Sequence, residues 1–115
     1  MLDWNNYRKQ LLGRIGEIAS LSPDTIRGYQ ILAEATEKNH RIDAKTAELI
    51  ALAVAVTTRC DGCISVHAEA ALKHGASREE IADALSIAIA LNAGAALVYS
   101  ARVLDAVDKT AAGDA

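Results

Sequence analysis

Helix-start signals recur along this chain and constrain its fold more than any other feature. The tripeptide SPD at 22–24 combines an N-cap serine, a proline at the first helical position and an acid in the first turn, so it predicts a helix running towards Lys38. Asp43 can cap the next helix, which carries AKTAELIALAVAV, and SREE at 77–80 is a capping box. No alternating strand pattern of useful length separates these signals. The sequence therefore predicts an all-α fold.

Glycines mark the predicted ends of helices. Gly75 follows two basic residues and closes a helix that begins at the cysteine pair. Gly94 predicts a break or kink before a last helix that ends near Lys109. A first helix over 5–19 completes a set of about six helices.

The length of 115 residues predicts a single domain over 1–115. Its core is expected at about 22–109, and the small polar tail at 110–115 is expected to be disordered. Ala, Leu, Ile and Val dominate the apolar residues and aromatic residues make up only 3%, a composition typical of helices rather than strands.

Charge and hydropathy exclude several classes of partner. The net charge is −3 and the basic residues are dispersed without interleaved aromatics, so no nucleic acid is expected as a partner. The start, MLDWNNYRKQ, has no apolar segment of a signal peptide. The longest apolar run, 87–98, is interrupted by Asn92 and is too short to span a membrane. The sequence predicts a soluble, cytoplasmic protein with no membrane partner.

Two helical segments, 49–56 and 85–98, are apolar on more than one face. A domain this small cannot cover both segments with its own residues. The small residues at 93–96 would allow helices to approach closely. We therefore expect association with other copies, as a homo-oligomer.

The stretch TTRCDGCISVHAEA at 57–70 holds both cysteines of the chain. If a helix begins at about Cys60, then Cys60, Cys63 and His67 lie within a narrow arc of one helix face. The helix N-terminus and the neighbouring Arg59 favour a thiolate at Cys60. Spacing alone thus supplies a nucleophile, a second thiol one turn away and a base.

A fourth group lies on the preceding helix. If the chain turns back near 57–58, the two flanking helices form an antiparallel hairpin, in which positions equidistant from the turn are neighbours. Glu48 and His67 are about equally far from that turn. A carboxylate within an apolar helix is costly to bury without a partner, and an imidazole is a suitable one. We expect Glu48 to orient the His67 ring and raise its basicity.

Other interpretations of the same residues need weighing. The cysteines can be small buried hydrophobes, and Glu48 can be a solvated helix carboxylate. Cys60, Cys63, His67 and Glu48 could bind zinc, but structural zinc usually draws its ligands from two separated pairs, so no metal is expected. A structural disulfide across one helical turn closes too short a loop to stabilise much.

The remaining two histidines have simpler explanations than catalysis. His74, next to Gly75, complements the dipole at the C-terminal end of its helix, and His40 lies in the polar stretch EKNHR. Neither residue is expected in the site.

Glu48, the CDGC motif at 60–63, His67 and the following AALKHGASREEIADAL together resemble the carboxymuconolactone decarboxylase superfamily, in its AhpD-like alkylhydroperoxidase branch. The resemblance covers about 43–105, with a weaker match over 23–38. It implies an all-helical fold, assembly into trimers or hexamers, and thiol-dependent peroxide reduction. It also implies that the glutamate, both cysteines and the histidine are the catalytic residues and that no cofactor is needed.

Two features differ within that family. Better-known peroxidase members have a histidine immediately before the second cysteine, where this chain has Gly62. The decarboxylase branch typically lacks the cysteine pair and uses other polar residues on the same scaffold. The resemblance therefore favours the peroxidase branch without one of its proton-relay groups.

The resulting hypothesis is a thiol peroxidase or related disulfide oxidoreductase. By resemblance, Cys63 attacks the hydroperoxide and Cys60 then forms the disulfide, while His67 held by Glu48 handles the proton. A dithiol donor is expected to attack Cys60 as the more exposed sulfur. The opposite assignment, with Cys60 attacking the peroxide, stays open at this stage. Two alternatives are a lyase or isomerase acting on a small carboxylated substrate, and a redox-sensing oligomer.

Overall fold

The computed structural model describes residues 1–38 and 41–113, and those residues form five α-helices and no strand. The helices are α1 (Trp4–Leu21), α2 (Pro23–Glu37), α3 (Ala44–Thr58), α4 (Asp61–Lys73) and α5 (Arg78–Ala111). The all-α prediction is confirmed. His40, which the sequence places in a solvated stretch, lies outside the described residues.

The helices predicted to start at Ser22, Asp43 and Ser77 begin at Pro23, Ala44 and Arg78. Asp43 and Ser77 cap their helices through side-chain hydrogen bonds, whereas the Ser22 side chain makes no capping bond. The Asp43 carboxylate accepts from the backbone N–H of Thr46 at 2.7 Å and caps α3. The Ser77 hydroxyl accepts from the N–H of Glu80, and the Glu80 side chain accepts from the N–H of Ser77, so both halves of the capping box are present. These bonds pair backbone donors that a helix cannot satisfy internally.

The expected break at Gly94 is absent, because α5 continues through it for 34 residues. A single glycine weakens a helix by only about 1 kcal/mol relative to alanine, and it retains the N–H that the helical hydrogen bond requires. The flanking alanines are strong helix formers. This continuity accounts for five helices where about six were expected.

The helix α5 also extends to Ala111, so the first two residues of the expected disordered tail are helical. The helix ends where the chain supplies a glycine, since Gly113 has a φ of 76° and donates its N–H to Thr110 O at 3.1 Å. Left-handed glycines commonly end helices in this way. Residues 114–115 lie outside the described part of the chain.

The helix α3 is the centre of the packing, with α4 on one side and α5 on another, while α1 bridges α4 and α2. A small core joins α3 to the segment after it. Its buried members are Leu52, Ala71 and Ala76, with Leu49, Ala68 and Ile81 packed against them. The α3–α4 hairpin that carries the cysteine motif is therefore anchored by the core.

Much apolar surface stays exposed around this core. The radius of gyration is 19.4 Å, against about 13 Å for a compact chain of this length. Several apolar side chains in the second half of α5 lie at the surface; Leu97, Val98, Val103 and Leu104 are each more than 60% exposed. The described chain is thus more open than an ordinary small domain.

By length and composition alone, α5 is the one helix in the described residues that could cross a membrane. The mean hydropathy of its most apolar 18-residue window is 1.9, and only 6% of that window is buried. The sequence argument against a span relied on the short run 87–98, and the continuous helix removes that argument. The absence of a membrane partner remains a prediction.

Candidate active site at the α3–α4 hairpin

The two helices of the hairpin are joined by a tight turn. The helix α3 ends at Thr58, and Arg59 adopts the left-handed conformation with a φ of 54°, the only non-glycine residue in the described chain to do so. That conformation reverses the chain, and its N–H still bonds to the carbonyl of Ala55. Cys60 follows as the N-cap of α4. The motif therefore begins at a helix N-terminus, as the sequence predicts.

The structure joins Cys60 and Cys63 in a disulfide, with their Cα atoms 5.3 Å apart. Cys60 Sγ also accepts a hydrogen bond from the backbone N–H of Cys63 at 3.2 Å. Cysteine sulfur here occupies the position that a serine or aspartate oxygen usually takes at an N-cap. Both thiols are thus close enough to exchange between reduced and oxidised forms.

The exposure of the two sulfur-bearing residues differs from the sequence expectation. Cys63 is exposed and Cys60 is partly buried. The expectation that Cys60 is the more exposed cysteine is wrong. As N-cap, Cys60 lies in the turn between the two helices, whereas Cys63 lies in the first turn of α4.

The predicted contact between Glu48 and His67 is present. His67 Nδ1 lies 2.6 Å from Glu48 Oε2, across the hairpin from α4 to α3. The side chain of His67 is 36% exposed and that of Glu48 is 20% exposed, so the pair is partly shielded from solvent. Because Nδ1 is bonded to the carboxylate, the ring orientation is fixed and Nε2 remains for proton exchange.

The hairpin thus brings all four predicted residues to one region. Cys63 and His67 are four residues apart in α4, the spacing of neighbours on one helix face. Glu48, on α3, is hydrogen-bonded to His67. Cys60, in the turn, provides the sulfur that is bonded to Cys63. The arrangement provides two sulfurs joined in a disulfide, an imidazole, and a carboxylate hydrogen-bonded to that imidazole.

The helix α1 packs against α4 beside this region, a contribution that the sequence reasoning missed. Arg8 Nη1 donates to the carbonyl of Ser65 at 2.9 Å, and the same guanidinium forms an ion pair with Glu69. The face of α1 that packs on α4 includes the partly buried residues Trp4, Tyr7, Arg8 and Leu11. Their spacing of three and four residues is that of one helical stripe, and this spacing is the sequence signal that could have revealed the face.

Leu11 packs against the glycine inside the cysteine motif. A Cβ placed on Gly62 would lie 2.7 Å from Leu11 Cδ2, closer than real Cβ contacts allow. Any side chain at this position, a histidine included, therefore requires the end of the Leu11 side chain to move.

Glu48 also lines a cavity of about 420 Å³ that opens beside α3. His74, at the C-terminal end of α4, and Thr36, in the last turn of α2, line the same cavity. From the sequence, His74 was expected only to complement the helix dipole, because local spacing does not show that it lines the same cavity as Glu48.

Ion pairs connect residues between and within the helices around the site. Lys45 Nζ donates to Glu80 Oε2 at 2.7 Å, between the first turns of α3 and α5. This hydrogen bond lowers the pKa of the Glu80 carboxyl and raises that of Lys45, because each charge stabilises the other. On α4, the hydrogen bond from Lys73, with a further contribution from Arg8, lowers the pKa of Glu69.

Within the described residues, no group of three or more histidine, cysteine and carboxylate side chains is placed to hold a metal ion. The sulfurs, the imidazole and the Glu48 carboxylate are engaged with one another in the pairs described above.

The sequence model of the carboxymuconolactone decarboxylase family matches residues 23–106. The chain belongs to this family. The match spans the α3–α4 hairpin and all four candidate residues, and it leaves the whole of α1 outside. The resemblance to the carboxymuconolactone decarboxylase family is confirmed, and the AhpD-like branch stays a prediction.

Relatives of this family member occur in several bacteria. A protein of Haemophilus influenzae, described as uncharacterized, is 53% identical over 104 residues, covering 90% of this chain and 92% of the relative. The protein called uncharacterized protein 4 in the cox locus of Paracoccus denitrificans is 30% identical over 95 residues, covering 83% and 86%.

Two solved structures share the fold of this family member. An apo carboxymuconolactone decarboxylase family protein from Legionella pneumophila superposes with a TM-score of 0.73 at 33% identity, covering 92% of this chain and 95% of that one. A protein from Methanobacterium thermoautotrophicum gives a TM-score of 0.69 at 28% identity, covering 75% and 97%.

Proposed function

We propose that this family member is a thiol-dependent peroxidase or disulfide oxidoreductase of the AhpD-like branch. The observation that carries the proposal is the arrangement on α4. The disulfide-forming pair Cys60–Cys63 occupies its start, and His67, hydrogen-bonded to Glu48, follows one turn later. A small exposed thiol with a base on the same helix face is what peroxide reduction by a protein thiol requires.

In the proposed cycle, Cys63 attacks because it is exposed and lies one turn from His67. Its thiolate attacks the terminal oxygen of the hydroperoxide, the O–O bond breaks, and the alkoxide leaves with a proton delivered through His67. Cys63 becomes a sulfenic acid. Cys60 then attacks this sulfur, the disulfide forms, and the hydroxide leaves as water after protonation. A dithiol donor returns two electrons and regenerates both thiols.

The scheme uses no cofactor, because the two sulfurs carry the electrons and the His67–Glu48 pair carries the proton. The donor is proposed to be a dithiol or a disulfide reductase. A cytoplasmic location belongs to the same proposal, since the cytoplasm keeps protein thiols reduced and supplies such donors.

The test is consumption of tert-butyl hydroperoxide with dithiothreitol as donor, comparing the unmodified chain with Cys63→Ser. The variant should lose turnover, whereas Cys60→Ser should still reduce one equivalent and carry a sulfenic acid on Cys63. Alkylation of both thiols should abolish activity. Turnover that survives in Cys63→Ser, or no turnover in the unmodified chain, contradicts the proposal.

The cavity beside Glu48 favours one second candidate, a lyase or isomerase acting on a small carboxylated substrate. Glu48 and His74 both line it, so an acid and a base could reach one bound molecule. Such an enzyme would be indifferent to thiol alkylation. A redox-sensing oligomer, the remaining alternative, would instead change its assembly when the disulfide forms.

We also propose a homo-oligomer, a trimer or a hexamer. The chain exposes 9146 Å², whereas a compact monomer of 12.1 kDa exposes about 6,000 Å². The excess of roughly 3,000 Å² has the size of an obligate interface. Copies of this chain are the proposed cover because the first half of α5 already packs on α3, which is incompatible with full immersion of α5 in lipid.

Light scattering without detergent tests the assembly. We expect the mass of a trimer or hexamer. The variant Leu104→Glu should lower that mass, because it places a charge on the exposed apolar surface in the second half of α5. The matched control Thr110→Glu, near the polar end of the same helix, should leave it unchanged. A monomer mass, or recovery only with membranes, contradicts the proposal.

A further inference from the structure

The two sulfurs of the disulfide have different surroundings. Cys60 is partly buried in the turn, caps α4, and accepts the N–H of Cys63 on its sulfur at 3.2 Å. Cys63 is exposed in the first turn of α4. The backbone N–H therefore favours negative charge on Cys60 Sγ, and Cys63 is the more exposed of the two residues.

Thiol–disulfide exchange depends on both properties. The incoming thiolate needs access to the sulfur that it attacks, and the opposite sulfur must leave as a thiolate. A helix N-terminus and a backbone N–H both stabilise a leaving thiolate. Here access favours attack at Cys63 and anion stabilisation favours departure of Cys60, so the two effects point in the same direction.

We propose that the reducing thiol attacks Cys63 Sγ and that Cys60 leaves first, as the thiolate. This inference rests on the proposed dithiol–disulfide cycle and assigns the site at which its electron donor binds covalently. The donor sulfur forms a bond to Cys63 Sγ as the Cys60–Cys63 bond breaks, and the negative charge moves to Cys60 Sγ. The second thiolate of the donor then attacks the donor sulfur, the Cys63 thiolate leaves, and the donor departs as a disulfide.

The consequence is that both substrates react at one atom. The oxygen of the hydroperoxide and the sulfur of the donor each react with Cys63. Cys60 reacts only with Cys63, to form the disulfide and to leave from it. The donor therefore approaches Cys63 in the first turn of α4 and not the turn at Arg59. Hydroperoxide and donor should compete for the same approach to the protein.

The test maps the first mixed disulfide on the intact, oxidised protein. The protein is mixed with 2-mercaptoethanol, quenched with acid after increasing times, and alkylated with N-ethylmaleimide. Trypsin cleaves after Arg59, so one peptide, 60–73, carries both cysteines, and fragmentation between them locates each adduct. At the shortest times we expect mercaptoethanol on Cys63 and maleimide on Cys60, in about tenfold excess over the reverse pattern.

Equal labelling, or an excess of mercaptoethanol on Cys60, overturns the inference. Glutathione in place of 2-mercaptoethanol should give at least the same preference, because a larger thiol depends more on access. A lower preference with glutathione also counts against it. The mapping needs no hydroperoxide and no variant, so it can fail while peroxidase turnover succeeds, and it can succeed while turnover is absent.

Discussion

Replacing Glu48 by glutamine should weaken the acid–base function of His67 without disturbing the hairpin. Glutamine keeps the volume and can still accept from His67 Nδ1, but it carries no charge to stabilise an imidazolium. A hydrogen bond to a charged group contributes about 1.5–3 kcal/mol. Since the two side chains are 36% and 20% exposed, solvent screening reduces this to about 1–2 kcal/mol, which corresponds to a roughly 5- to 30-fold loss of turnover.

His67→Asn removes the base itself and should cost about 10²- to 10⁴-fold. Because the carboxylate acts only through the imidazole, the double variant should be little slower than His67→Asn alone. The assay is hydroperoxide consumption with dithiothreitol for all four members of the cycle. Glu34→Gln, an exposed carboxylate on α2, serves as the control and should retain full activity.

A second readout separates the proton function from packing. In a Cys60→Ser background only Cys63 reacts with iodoacetamide, so its alkylation rate against pH reports formation of that thiolate. Adding Glu48→Gln should move the profile to higher pH, because the neighbouring imidazolium becomes less stable. Additive losses in the cycle, or an unchanged alkylation profile, would show that Glu48 is only a structural helix carboxylate.

Three further predictions concern the helices around the site. Gly62→His should lower the midpoint of urea unfolding because it displaces the Leu11 side chain. Adding Leu11→Ala should restore part of the loss. A gain in stability from Gly62→His alone would contradict the contact between Leu11 and Gly62. Arg8→Met should free α1 from α4 and increase its cleavage by a protease in limited digestion, since the guanidinium holds both the Ser65 carbonyl and a carboxylate; unchanged cleavage contradicts this. Because its ion pair lowers the pKa of Glu80, that carboxylate stabilises the fold above its unfolded-state pKa and loses the effect as pH falls through the lower, folded value. Glu80→Gln should therefore be less stable than the unmodified chain near neutral pH, with a difference that narrows in acid; a constant difference in thermal unfolding would contradict the sign.

The features that the sequence predicted depend on residues close together in the chain. The capping bonds at Asp43 and Ser77 join residues three apart, so residue type and spacing suffice to predict them. The Glu48–His67 contact is more distant, but a hairpin relates the two positions through a single turn. For that reason equal distance from the turn was enough to predict the pair.

The tertiary structure decided what depends on the whole path of the chain. Leu11 reaches Gly62 only because α1 folds back across α4, and no local signal gives that direction. Continuity of α5 through Gly94 reflects a balance in which one glycine costs too little to end a helix flanked by alanines. The relative exposure of Cys60 and Cys63 depends on how the turn closes against its surroundings. Sequence spacing placed the four candidate groups on one hairpin. Only the fold established which cysteine is the more exposed, because accessibility is a property of the assembled helices and not of any one of them.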